Sequence, residues 1–222
     1  KNGIPTISHY LHKLFVVSDN DAFNRLYEFL GPDYINSRMW ELGFPNTRIR
    51  HRLSLSLTER ENQFANAFQF YSDSGIIFEK PSQKMGLELD SPFEDFFLGD
   101  SHYVMGEKVG GPMDFSEKNF MSIPDQHKFL IQLIFPNKNN SVNHLSLTES
   151  DHEFILNKMS MLPRNSTHPK YDSKFYDGYC KFFMFGDSKE KIPDHIKIFN
   201  KVGLAYGFVL DNAYIIDLKH NI

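Results

Sequence analysis

The chain has 222 residues, 41% of them hydrophobic and 15% aromatic, enough to bury a substantial core and to exclude disorder over most of its length. A formal net charge of -4 gives no basic footprint for nucleic acid, and no run of about 18 consecutive apolar residues is present to span a membrane. The single cysteine, Cys180, excludes an intramolecular disulfide and reads as a small buried hydrophobe.

Ile7, Tyr10, Leu11, Leu14 and Phe15 recur at helical spacing, as do Phe23, Leu26, Tyr27 and Leu30, which predicts two helices flanking Ser18-Asp19-Asn20. Gly31 is expected to close the second helix as a left-handed cap, and Tyr34 to Leu42 a third that Gly43 stops. Arg48 to Leu57 alternates and reads as a strand or an extended loop. Thr58 and Glu61 match a capping box, which predicts a short helix carrying Phe64 and Phe68. Glycines and prolines break every periodic segment between 72 and 121, so that stretch is expected to be an irregular insertion with a hairpin or a loop. Its aromatics, Phe93, Phe96, Phe97 and Tyr103, suit core packing or a partner surface.

Ser122-Ile123-Pro124-Asp125 starts a further helix through Ile134, and Thr148 or Ser150 caps another that Pro163 ends; both are expected to pack on the first helical unit. The last third is β-rich, with Ile196 and Ile198, then Phe208-Val209-Leu210 and Ala213-Tyr214-Ile215-Ile216, and with Asp211-Asn212 as the expected turn. Helices followed by antiparallel strands predict an α+β class: a helical subdomain plus part of an antiparallel sheet. Two or three strands would leave edges exposed, so the sheet is expected to be incomplete in this chain. Lys1 is not an initiator methionine, and the chain is expected to begin within a longer protein.

Two segments carry chemistry. Ser18-Asp19-Asn20 lies where the apolar run Leu14 to Val17 ends and a helix begins, and Lys201-Val202-Gly203 lies between two β-rich runs. As an isolated tripeptide the first is most simply a helix-capping cluster. A second Lys-Val-Gly, Lys108 to Gly110, precedes Gly111-Pro112, and on that context Lys201 is the preferred element. With their surroundings, Val16 to Leu26, Tyr34 to Thr47, Ile192 to Gly203 and Tyr206 to Tyr214, these residues resemble the β-lactamase and DD-peptidase-like serine hydrolases, in particular class A-like members of a Bacteroidetes type.

The resemblance implies acyl transfer on an amide or ester, with Ser18 and Lys201 catalytic and Asn20, Gly203 and Leu204 binding substrate. Ser18 would relay a proton to the leaving group, Lys201 place positive charge, Asn20 orient substrate, Gly203 admit it to the strand, and the Leu204 N–H form half of an oxyanion hole. Valine at 202 replaces the family's usual threonine and removes a hydroxyl that would help hold a substrate carboxylate. Glu59 and Glu61 fall in the segment of the family's deacylating glutamate without its spacing, and capping is their simpler role. The nucleophile is missing: Ser188-Lys189-Glu190-Lys191 is the only S-x-x-K, and it follows Gly186-Asp187 in a polar turn. His51, His102, His127 and His195 have no metal-ligand spacing, so no metal or other cofactor is expected.

Residues 1–222 thus read as one fragment of a β-lactamase-like domain, helical in 1–71 and 122–191, irregular in 72–121 and β-structured in 192–222. Its expected partner is a small-molecule or peptide substrate, such as a peptidoglycan-derived amide or ester. The resemblance implies a periplasmic or secreted location. Two other readings stand beside the hydrolase: a non-catalytic binding or structural module on the same scaffold, and an unrelated α+β domain. Nothing in the sequence specifies an oligomeric state.

Overall fold

The structure, a computed structural model, describes residues 5–84, 86, 88–91, 94–104, 106–136 and 145–221, with the Glu59 side chain and Phe93 outside the described residues. In chain order the helices are α1 (Ile7–Val16), α2 (Asn20–Leu30), α3 (Pro32–Glu41), the single turn α4 (Glu59–Asn62), α5 (Ile123–Ile134) and α6 (Glu149–Ser160). The strands are β1 (Phe64–Ala65), β2 (Phe68–Ser72), β3 (Gly75–Lys80), β4 (Gln83–Lys84), β5 (Phe97–Leu98), β6 (Ser101–Val104), β7 (Glu107–Gly110), β8 (Met113–Asp114), β9 (Ile196–Ala205) and β10 (Phe208–Asp217). Helices with small antiparallel sheets make the class α+β. The chain divides into two units, residues 1–26 with 123–222, and residues 27–122.

In the first unit, Thr6 caps α1 by accepting from the His9 N–H at 3.1 Å, and Thr148 caps α6 by accepting from Asp151 at 3.2 Å. The apolar faces of α5 and α6 meet at buried Leu130, Leu133 and Met159, with Phe15 of α1 and Phe199 and Tyr214 of the strands packed around them. β9 and β10 form one ten-residue antiparallel hairpin, in which Lys201 lies opposite Asn212 and Val202 opposite Asp211. Its turn is Tyr206-Gly207, both at positive φ (54° and 85°), as a tight two-residue hairpin requires. Asp211-Asn212 is therefore not the turn. Both residues sit inside β10 because their side chains have partners there: Asn212 donates to the Gln126 carbonyl at 2.6 Å, and Asp211 accepts from Asn200 at 2.7 Å.

The second unit is organised by side-chain amides and an ion pair. Arg48 to Leu57 forms no strand beyond a bridge between Arg48 and Phe120. Its N–H groups go to amide oxygens instead: Ile49 to Asn36 at 2.8 Å, Arg50 and His51 to Asn119 at 2.7 and 3.0 Å, and Arg52 to Asn62 at 3.1 Å. Arg52 and Glu28, with side chains 4% and 8% exposed, pair at 2.8 Å, and Arg52 also donates to the Phe64 carbonyl at 2.6 Å. The capping box forms, since Thr58 N–H donates to the Glu61 carboxylate at 2.8 Å and Glu61 N–H to Thr58 Oγ at 3.2 Å. The helix it starts is only one turn, and Phe64 and Phe68 lie on β1 and β2 rather than on it. Within 72–121 the described residues carry short antiparallel pairings, β3 with β2, β6 with β7, β4 with β1 and β5 with β8, separated by stretches without regular structure. Among the insertion's aromatics, Phe96 packs on Phe115 with ring centroids 5.8 Å apart, whereas Phe97 and Tyr103 are exposed.

Candidate functional site

Ser18 interrupts two helices. Val17 N–H still donates to the Lys13 carbonyl at 3.2 Å as α1 ends, and Ser18 then takes φ 54°, a left-handed conformation that costs a side-chain-bearing residue about 1 kcal/mol. Asp19 secures the far side of that corner. Its Oδ1 accepts from the Ala22 N–H at 2.8 Å, capping α2, while Oδ2 pairs with Lys13 at 2.6 Å. Burial alone would push the Asp19 carboxyl upward, but the Lys13 and Ala22 hydrogen bonds outweigh it, and the net shift is downward. The triplet therefore divides its work: Asp19 caps, which leaves the Ser18 hydroxyl for other contacts.

That hydroxyl meets Lys201. Lys201 Nζ donates to Ser18 Oγ at 2.7 Å and to the Val202 carbonyl at 2.7 Å, joining residues 183 positions apart within one unit. Burial pulls the Lys201 ammonium below the ordinary lysine range, while Cys180 and Asp211 oppose that pull. Asn20 is exposed as the first residue of α2. Along β9, Ile198, Asn200 and Val202 are buried, alternating with the less buried Phe199, Lys201 and Gly203. A Cβ on Gly203 would meet only Leu210 side-chain carbons at 3.7 Å, so the chain's own packing does not demand glycine there. Leu204, next along, is 70% exposed.

Glu61 belongs to the other unit, and its carboxylate is engaged by Thr58. Lys108 lies on β7, also in that unit, whereas Ser188 and Lys191 lie in the first unit on a stretch with no helix between them. A serine and a lysine presented one helical turn apart are thus not supplied by that S-x-x-K. Among the described residues no group of three or more His, Cys, Asp or Glu side chains is arranged to hold a metal ion, and no helix is long and apolar enough to cross a membrane.

Several polar residues near this pair were not picked out from the sequence. Lys181, 1% exposed, donates to the carbonyls of Met159 (2.6 Å) and Ile198 (3.1 Å) and to Asn200 Oδ1 (2.6 Å). Burial lowers its pKa to about 8, and the Lys201 charge adds to the effect against Cys180 and Asp211. Asn200 Nδ2 in turn donates to the Cys180 carbonyl at 2.9 Å and to Asp211 Oδ1 at 2.7 Å. Gly178 permits the turn that carries Lys181, because the Phe185 carbonyl oxygen lies 2.0 Å from where a Cβ would stand. Cys180 is buried, as its residue type suggested, with its thiol pushed up to about 11 by burial. On α1, buried His12 Nε2 lies 2.8 Å from Ser166 Oγ. Ser166 gives its own proton to the Pro169 carbonyl, so the imidazole donates and is neutral, with its pKa lowered to about 4 by burial first and by Lys158 and His9 next. The one sequence sign of the Lys181 cluster was a lysine set in the aromatic run Tyr179-Cys180-Lys181-Phe182-Phe183.

Residues 2–85, which include Ser18 and Asn20, match the model of the beta-lactamase enzyme family. Searches of curated proteins and of solved structures find no match. The matched segment is thus similar to the β-lactamase-like serine hydrolases, and the chain's helices with small antiparallel sheets are consistent with an α+β fold of that kind.

Proposed function

We propose that this chain is the part of a serine acyl-transfer enzyme that supplies two walls of the active site, acting on an amide or ester substrate. The whole chain is read as one such domain, into which residues 72–121 are inserted. The reacting serine, activated by its own lysine, comes from a segment outside these residues; in support, the chain's only S-x-x-K lies off any helix. Ser18 passes a proton toward the leaving group, and Lys201 holds Ser18 and places positive charge beside the reacting centre. Asn20 orients substrate, Gly203 lets it approach β9, and the Leu204 N–H contributes to oxyanion stabilisation. A periplasmic or secreted location accords with the family. The observation that carries this reading is the 2.7 Å bond between Lys201 Nζ and Ser18 Oγ.

The test is acylation of the full-length protein. Treated with a fluorescent penicillin and, separately, with an activated ester, it should show one serine adduct by intact mass and peptide mapping. Ser18→Ala and Lys201→Ala should each slow adduct formation by on the order of 10²–10³-fold. If neither probe leaves an adduct, the hydrolase reading fails. The non-catalytic module on the same scaffold, which the unhelical Ser188 to Lys191 stretch favours, would then stand.

A further inference from the structure

Beneath Lys201 runs a buried polar chain that the proposed reaction does not itself consume. It starts at Lys181, passes through the Asn200 amide and ends on Asp211, whose second oxygen accepts from the Phe183 N–H at 3.0 Å. Both donors and one acceptor direction of the Asn200 amide are set by this arrangement. Its Oδ1 takes the Lys181 ammonium, and its Nδ2 bonds the Cys180 carbonyl and Asp211. Because Asp211 lies opposite Val202, its bond to Asn200 runs diagonally across the ladder and pins both strands on either side of Lys201. Lys181 adds the Met159 carbonyl on α6 and the Ile198 carbonyl on β9. Four stretches of chain are thereby fixed around the backbone from which the Lys201 side chain departs.

The charges are as unequal as the bonds are complete. Facing Lys201 are the Ser18 hydroxyl from the α1–α2 corner, Cys180 and Lys181 from the 177–185 turn, and Asp211 from β10. Asp19 is engaged by Lys13. Two ammonium groups thus share one carboxylate.

We propose that Lys181, Asn200 and Asp211 are positioning residues for Lys201, holding its ammonium on the Ser18 hydroxyl and setting the local charge from opposite signs. Their catalytic purpose rests on the proposed role of the Ser18–Lys201 pair. Asp211 steadies the protonated lysine, and Lys181 disfavours it. Removal of either charge should therefore move the Lys201 proton affinity, and in opposite directions.

The experiment is a pH titration of this 222-residue chain with ¹³C-labelled lysine, the Lys201 signal being assigned through Lys201→Arg. Asp211→Asn should lower the Lys201 midpoint and Lys181→Met should raise it, each by about half a pH unit or more. Shifts of the same sign, or none in folded variants, overturn the proposal. Should both variants fail to fold, the unaltered chain decides: the Lys181 and Lys201 signals should each show two coupled steps, and independent single-step titrations overturn it. Since the readout needs no turnover, it separates the two readings. Opposite shifts alongside a full-length Ser18→Ala protein that acylates normally would sink the proposed function and leave the network standing.

Discussion

Replacing Ser18 by alanine and by glycine separates what the serine does for chemistry from what it costs the fold. At φ 54° serine and alanine both bear about 1 kcal/mol of left-handed strain that glycine escapes. Alanine also loses the hydroxyl that accepts from Lys201, a hydrogen bond to a charged group worth about 1.5–3 kcal/mol. Ser18→Ala should therefore destabilise by about 1.5–3 kcal/mol and Ser18→Gly by about 1 kcal/mol less, a gap of about 2–4 °C in melting temperature for a chain of this size. Urea unfolding with calorimetry on the two variants measures that gap. In the full-length protein both variants should lose acylation equally, by on the order of 10²–10³-fold, since neither carries a hydroxyl. A glycine variant no more stable than the alanine one would refute the strain argument, and a glycine variant that acylates normally would remove Ser18 from the chemistry.

Acid should weaken the fold through His12. Its native pKa of about 4 lies below the free value of 6.5, so the unfolded chain takes up a proton that the native state refuses. Stability present above pH 6.5 is lost as pH falls toward 4, by about 3 kcal/mol at 1.36 kcal/mol per unit. Urea unfolding across that window should show the slope in the unaltered chain and a smaller one in His12→Gln; equal slopes would contradict it. In the second unit, Arg52→Met removes the ion-pair partner of the buried Glu28 carboxylate and should destabilise by about 3–5 kcal/mol in denaturant unfolding. A loss under 1 kcal/mol would mean that the pair does not hold the 48–57 segment.

Where the sequence was legible, a residue type and its local spacing decided the structure. Thr58 and Glu61 bond as a capping box must, and Gly31 and Gly43 take the positive φ that ends α2 and α3. Failures came where a polar group's partner is distant. Alternation in 48–57 left a strand and an extended loop both open, because periodicity reports which face is apolar and not which group accepts each N–H; Asn36, Asn62 and Asn119 accept them here, and the segment is a loop. Asp211-Asn212 looked like a turn because polar pairs favour turns, whereas Asn200 and the Gln126 carbonyl satisfy both residues within a strand. Lys181 was invisible for the same reason, since a buried lysine makes sense only once its three acceptors are known.

The Ser18–Lys201 bond closes a loop of 183 positions, and the whole second unit, residues 27–122, is strung within that loop. Closure entropy grows only logarithmically, so even doubling the intervening chain would weaken the contact by about 0.6 kcal/mol. The hairpins between 68 and 114 are thus free to lengthen, shorten or diversify at little thermodynamic cost to the pair. Synthesis imposes the stricter condition: Ser18 leaves the ribosome long before Lys201, so the pair is assembled only after all of residues 27–122 have been made.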